Sequence, residues 1–493
     1  MLLITKNHTF GYELQKLCMV FYPDESIIVK TECQESDRII ITELDKGSTS
    51  TTLSVSLIID QKQMRRSAEL ANDNPEYYDE CERILAVLLF ECLTEITGYV
   101  PEWGILTGVR PAKLMRRLIE EYGRERAAQY FKQKLFVNDS KIKLCLSALE
   151  GEETIINLSR PESYSLYISI PFCPSRCSYC SFVSHSVDKA KRLIPDYVDL
   201  ICQELEYTAR IAKDCGLRIE TIYMGGGTPT VLNQPQLTQI MKTVSDCFDL
   251  STLREYTVEA GRPDTITIER LEAIKQGGAT RISINPQSMN DNVLMAIGRK
   301  HTSQQTVEAF KLARSLGFNN INMDLIAGLP SDTLESFSKT VDEILGLNPE
   351  SVTVHTLSFK RSSRLSSAEG MPVHEARTAA QMLELANQKL ESSGFLPYYM
   401  YRQAKMVDNL ENVGYAKKGY EGLYNVYIMD ETHTILGAGA AAVTKLKQPC
   451  GSYIERVFNF KYPYEYVSRF KEILRRKERV KEFYEQYRIP EDR

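Results

Sequence analysis

The sequence has no apolar run approaching the ~18 residues of a membrane-spanning helix. Its longest candidates, around Ile84–Phe90 and Ile435–Val443, are short and flanked by polar residues. The N-terminus, MLLITKNHTFGYE, lacks the charged leader and longer apolar block of an export signal. Membrane and secreted classes are therefore set aside, and a cytoplasmic protein is expected. An excess of charge of one sign is also missing: Lys plus Arg number 60 and Asp plus Glu 65, a formal charge of -5. That balance argues against a surface coated by nucleic acid, although a local basic patch stays compatible with it. Internal repeats and low-complexity tracts are absent.

The chain is 43% hydrophobic and 25% charged, the balance of a globular protein. At 493 residues it is too long for one ordinary domain. A core of roughly 250–300 residues with one or two smaller domains is expected. Residues 1 to about 62 alternate apolar and polar in short runs (CMVFY, SIIVKTE, RIIITEL, TTLSVSLIID), which predicts two or three strands. From Gln63 to Glu150 the period becomes helical, with a stripe over Tyr78–Thr97 and a helix opened by Pro111 and ended by Gly123. The polar stretch 151–163 is the expected domain boundary.

Beyond it, strands at Ser165–Ile170, Glu220–Met224, Glu255–Ala260, Thr280–Asn285, Asn320–Ile326 and Ser351–Thr356 alternate with helical stretches. Such alternation means parallel strands with crossover helices, in a doubly wound sheet or a partial (β/α) barrel. Either fold collects its chemistry at the C-terminal strand ends. The unusual residues fall there: Cys173–Cys180, Gly225–Pro229, Glu259, Gln287 and Asp324 each end or follow a strand.

Nine of the twelve cysteines are scattered singly, and three are bunched as C-x3-C-x2-C: Cys173, Cys177 and Cys180. Pro171 and Pro174 keep this segment from being a regular helix, so it is a loop able to aim three thiolates at one centre. Structural zinc wants four ligands, and no fourth Cys or His follows at matching spacing. His185 is the only neighbour, in what reads as an exposed turn. Three thiolates fit a [4Fe–4S] cluster with one iron open to a small molecule; the alternative is three structural thiols close together.

LYISIPFC…CSYC, YMGGGTPT (223–230), VEAGRPDTI (258–266), SINPQSMNDNVLMAIGRKHT (283–302), INMDLIAGLP (321–330) and ILGAGAAAVT (435–444) follow one another in order. This series resembles the radical S-adenosylmethionine (SAM) superfamily, in its HemN-like oxygen-independent coproporphyrinogen III oxidase family, and most of all the HemZ subgroup. The resemblance implies an α/β fold: a partial (β/α)6 barrel over about 160–400, a small N-terminal α+β domain over 1–155 and a C-terminal extension over 401–493 ending in a helix. It implies a cluster on Cys173, Cys177 and Cys180, and a first SAM near Tyr167, Gly226 and Glu259. A second SAM is implied near Tyr179, Gly227, Thr228, Gln287, Arg299 and Asp324, with Leu357 and Val443 as looser wall residues. The glycines would let backbone N–H groups approach the ligand. In this family SAM is cleaved to a 5′-deoxyadenosyl radical that takes hydrogen from a coproporphyrinogen propionate; carbon dioxide leaves and a vinyl group remains. A porphyrinogen substrate and a flavodoxin- or ferredoxin-type electron donor are expected partners. Taken singly, Glu259 and Asp324 read equally well as helix caps or surface carboxylates, and Arg299 as a solvated cation.

Several features depart from the pattern. The family's dehydrogenases have His where this chain has Ser169, and a further Cys where it has Phe182. The HNxxYW segment of the haem-chaperone branch corresponds to Glu411-Asn412-Val413-Gly414-Tyr415-Ala416, without His or Trp; Gly414-Tyr415 is similar to the dehydrogenase version. His433 and His374 are expected on the surface. The last helix, about Pro463–Tyr487, reads as a solvated charged face. Arg110, Lys113, Arg116 and Arg117 form a cationic helix face, either wetted and paired with Glu120 and Glu121 or suited to a tetracarboxylate. No stacking platform for RNA stands out.

Overall fold

The structure, a computed structural model, describes residues 1–23, 25–32, 36–180, 185–358, 373–403 and 406–487. The chain forms two compact units: Met1–Leu146 with Glu369–Ala380 and Tyr401–Glu411, and Ser147–Ala368 with Gln381–Met400 and Asn412–Arg493. Among the described residues no helix is long and apolar enough to cross a membrane.

The first unit is built on a five-stranded sheet in the order Ile28–Lys30, Leu2–Lys6, Ile39–Lys46, Ser50–Ile59, Lys62–Ala71. Leu2–Lys6 runs parallel to both neighbours, so the chain must cross over between partners. Helix Gly11–Phe21 makes one crossover and buries Leu14, Leu17, Cys18 and Phe21 at helical spacing. The run CMVFY, expected as a strand, ends this helix: five residues are too few to separate the two periods. Lys62–Ala71, expected to be helical, is a strand. Exposed Gln63, Arg65, Ser67, Glu69 and Ala71 alternate with the more buried Met64, Arg66, Ala68 and Leu70 on this edge strand, and Asp60 (φ 49°) and Gln61 (φ 67°) form the tight turn that folds it back on Ser50–Ile59. Helix Tyr77–Thr97 covers the sheet with Cys81, Leu85, Leu88, Leu89 and Cys92. Pro111 opens helix Pro111–Tyr122 as expected; there Arg117 lies 4.0 Å from Glu121 on the exposed face.

The second unit carries six parallel strands: Ser163–Ile170, Arg218–Gly226, Glu255–Glu259, Arg281–Ser283, Ile321–Ala327 and Ser351–Thr356. They lie side by side in chain order, each followed by a helix. A doubly wound sheet reverses strand order at a switch point. None occurs here, so the fold is the partial (β/α)6 barrel. Asn412–Ala416 pairs antiparallel with the sixth strand, and Thr434–Ala438 runs parallel to the first, followed by Val443–Lys447 and Ile454–Phe458. The sheet ends at Leu396–Tyr401 on one side and Ile454–Phe458 on the other, and stays open.

Helix Asp139–Ile156 extends into the first part of the 151–163 stretch expected as the boundary, and 157–162 form the irregular link to the first strand. Gly151 lets the helix approach the Leu396–Tyr401 backbone, since a Cβ there would lie 2.6 Å from the Tyr398 Cα. The C-terminal segment is two helices, Pro463–Ser468 and Phe470–Gln486, and the second corrects the solvated reading. It buries Phe470, Ile473, Lys477, Val480 and Phe483, an apolar stripe hidden in the sequence by dense flanking charge.

Candidate functional site

The first parallel strand leaves the sheet at Ile170 and runs straight into the cysteine loop. The glycine run ending the second strand lies against that exit. The Gly227 N–H donates to the Ile170 carbonyl and the Thr228 N–H to the Phe172 carbonyl, each at 2.8 Å. A Cβ on Gly227 would stand 2.4 Å from the Phe172 oxygen, and Gly226 holds φ at +110°, so a side chain at either position is excluded or strained. The Gly226 amide donates to Glu259. All three amides are engaged within the protein. Close backbone approach, rather than free N–H donors, is what these glycines offer a ligand.

The cysteines sit above two buried guanidinium groups. Thr228 Oγ1 lies 3.6 Å from Cys173 Sγ, and Arg262 Nη1 lies 3.7 Å from Cys177 Sγ. Arg262 is clamped by Asp264 through two 2.9 Å hydrogen bonds. Arg299 donates to the Tyr179 hydroxyl at 2.9 and 3.3 Å and to the Asn285 carbonyl at 2.8 Å. Burial, with Arg299 and Arg262 alongside, pushes His301 down to about 3, so this ring stays neutral. Two buried cations against the single Asp264 carboxylate leave positive charge beneath the loop, which suits thiolates. Among the described residues no three His, Cys, Asp or Glu side chains converge on one ion-sized position. In a cluster each thiolate binds a different iron, so the donor set fits that group.

Deeper in the crevice Tyr167 stacks with Tyr223 and Tyr424, whose own rings stack at 4.5 Å. The Tyr223 hydroxyl donates to Glu259 at 2.5 Å. Asp324 accepts from Asn322 Nδ2 at 2.7 Å and faces His355 at 3.7 Å. It lies in the middle of Ile321–Ala327, a correction to the strand-end expectation: the strand runs three residues further. Gln287 follows the fourth strand with φ at +71°, a strained conformation for a residue with a side chain. Backbone hydrogen bonds to Asp324 (2.9 Å) and Ile326 (3.0 Å) hold it, and its Oε1 is buried without a hydrogen-bond partner among the described residues. Leu357 is buried past the sixth strand, its N–H on the Ala327 carbonyl. Val443 is half-buried opposite Phe458, beyond Thr434–Ala438.

Arg262, Tyr223, His301 and His355 were not singled out by sequence. Arg262 and Tyr223 stand inside the quoted motifs, but a cation or a phenol there carries no spacing signal of its own. His433 is buried, not on the surface: Ser159 and Ser165 each hold one ring nitrogen at 2.8 Å, and burial takes it down to about 3. His185 is half-buried, edge-on to Tyr462 and Tyr464. Phe182 and the His374 side chain fall outside the described residues.

Glu259 yields a pH prediction. Burial and Asp324 raise its carboxyl from 4.5 to about 7, against the lowering effect of the Tyr223 and Gly226 hydrogen bonds and His355. The folded state favours the protonated form, so this stability is full below pH 4.5 and is lost as pH rises through 7. At ~1.4 kcal/mol per unit the loss is on the order of 2–3 kcal/mol, allowing for screening at the open side of the crevice. Thermal midpoints of the cofactor-free protein should fall over that window, and Glu259→Gln should flatten the fall. Parallel curves for the two proteins would reject the assignment.

Fold and site together define a radical SAM protein, and the Radical SAM superfamily model matches residues 167–344. The chain is 37% identical over 400 residues, 80% of each chain, to the oxygen-independent coproporphyrinogen-III oxidase-like protein HemZ of Bacillus subtilis. It is 31% identical to the haem chaperone HemW of the same organism, over 61% of this chain and 77% of the relative. The solved structure of coproporphyrinogen III oxidase (HemN) from Escherichia coli, a radical SAM enzyme, superposes with a TM-score of 0.50 at 22% identity. That match covers 65% of this chain and 72% of the other. The chain belongs to the oxygen-independent coproporphyrinogen-III oxidase-like family of the radical SAM superfamily, on its HemZ branch. Membership implies a [4Fe–4S] cluster and SAM.

Proposed function

We propose that this protein is a radical SAM oxidoreductase that decarboxylates the propionates of coproporphyrinogen III to vinyl groups, giving protoporphyrinogen IX. Cys173, Cys177 and Cys180 hold the cluster; Tyr167, Gly226 and Glu259 hold SAM. Tyr179, Gly227, Thr228, Gln287, Arg299 and Asp324 form a second SAM subsite, walled by Leu357 and Val443. When bound, cluster and SAM supply a 5′-deoxyadenosyl radical. Glu259 receives the SAM ammonium, whose charge favours the ionised carboxylate. Gln287 offers an amide oxygen that no described protein group satisfies, and the tyrosine stack shields the crevice from water. A low-potential flavodoxin or ferredoxin supplies electrons.

The observation that favours this enzyme over a haem carrier is Glu411. It stands where the haem-chaperone pattern has its His, and it is buried in an ion pair with Lys141 at 2.6 Å, with Trp103 donating at 2.7 Å. Gly414 lies under the Tyr399 ring, where a Cβ would come within 1.9 Å of it. That segment therefore offers no histidine as an axial ligand. The haem-carrier reading keeps one supporting observation: Ser169, in place of the dehydrogenase His, gives its hydroxyl to the Ala440 carbonyl at 2.7 Å.

An anaerobic turnover assay with SAM, a low-potential reductant and coproporphyrinogen III tests the choice. Substrate-dependent 5′-deoxyadenosine together with vinyl-bearing product is expected. Deoxyadenosine without decarboxylated product would move the substrate elsewhere and make haem titration the next measurement.

A further inference from the structure

We infer that the surface centred on His185, Tyr462 and Tyr464 docks an acidic one-electron donor protein; this rests on the cluster reading above. The position follows from backbone pairing. Phe172–Cys173 forms a short parallel ladder with His185–Ser186, so His185 lies one strand spacing, roughly 4.8 Å, from the backbone that carries the first cysteine. Electron tunnelling falls steeply with distance, and a donor seated here lies close to the backbone of a thiolate ligand. On this face Tyr462 and Tyr464 stack at 5.5 Å, and both are exposed. His185 meets each ring edge-on at 6.1 and 6.2 Å.

Charge identifies the partner. Lys189, Lys191 and Arg192 are exposed on the segment that leaves His185, with Asp188 as the one acid among them. Lys461 lies over the Tyr462 ring at 5.8 Å, and exposed Arg176 acts on His185 from the cysteine loop. A local excess of cations in a chain of net charge -5 is a complement for an acidic protein. Exposed aromatics with Lys461 over one ring and cations on the segment that leaves His185 also suit a small, short-lived electron-transfer interface, the low end of the size range. In the step itself the donor loses one electron and the cluster gains one; no bond forms or breaks.

The test uses the reconstituted full chain and its Lys189→Glu/Lys191→Glu/Arg192→Glu variant. Bleaching of cluster absorbance is followed after mixing with a reduced acidic flavodoxin, and separately with dithionite. At low salt the flavodoxin rate of the variant should fall about tenfold or more, and the wild-type rate alone should drop steeply with ionic strength. Dithionite should reduce both proteins equally fast. Equal flavodoxin rates in the two proteins would overturn the docking face, as would equal slowing with both donors, which would signal a disturbed cluster. A wild type that takes up no cluster would overturn the site assignment and this proposal with it, whereas failure to decarboxylate coproporphyrinogen leaves the docking result intact.

Discussion

Cys177→Ala is expected to abolish both the cluster absorbance of the reconstituted protein and its cleavage of SAM. Cys177 is the buried member of the three cysteines, and its sulfur is the one that meets the Arg262 guanidinium. That cation lies beside the sulfur and is held there by Asp264, so the site offers positive charge to a ligand thiolate. Removing the thiolate leaves two ligands, too few to hold the cluster, while Arg262 keeps its Asp264 partner. Cys247→Ala is the matched control, because Cys247 is exposed at a helix end and has no part in the site. Anaerobic reconstitution followed by spectroscopy and deoxyadenosine analysis decides it. Retention of either property in the Cys177 variant would defeat the assignment.

The barrel was legible because a parallel strand and its crossover helix each leave a local pattern. Six apolar runs and five helical stretches could be placed within a few residues of their observed ends. Capping reinforced the pattern: Asn233 with Gln236 and Thr302 with Gln305 close reciprocal boxes at two helix starts. The N-terminal sheet was less legible. Its last strand carries charges on both faces (Lys62 and Arg66, Arg65 and Glu69), and the turn before it, Asp60-Gln61, lacks the glycine that announces such turns.

At the site, the cysteines and glycines could be found because spacing and residue type carry the signal. Arg262, His301 and Tyr223 could not. Their importance comes from what folding brings beside them: a thiol, two guanidinium groups and a carboxylate. His433 was misread for the same reason. Its serine partners lie more than 250 residues away in the chain, and no local pattern reports them.

The largest stability effect is expected at a network that no motif marks. Glu204, on helix Ile194–Asp214, is fully buried and pairs with the buried Lys477 of the last helix at 3.0 Å. It also accepts from Tyr466 (2.6 Å), Gly439 N–H (2.7 Å) and Asn459 (2.8 Å), while Lys477 donates to the Gly437 carbonyl as well. These bonds fix the turn at Gly439–Ala440. Tyr197 then ties that turn to the first strand: its hydroxyl receives the Ala440 N–H and donates to the Ser169 carbonyl, each at 2.8 Å. The carboxylate thus braces the strand that delivers the cysteines. Glu204→Gln keeps the shape but strands the Lys477 ammonium without a counter-charge, which should cost about 3–5 kcal/mol and lower the thermal midpoint by several degrees. Combining it with Lys477→Met should recover part of the loss, since a buried pair is dearer to break than to replace. Cluster retention after reconstitution is the second readout, and it should fall in the single variant and return with the double. A midpoint within a degree of wild type for Glu204→Gln would show that the last helix is held by its apolar stripe alone.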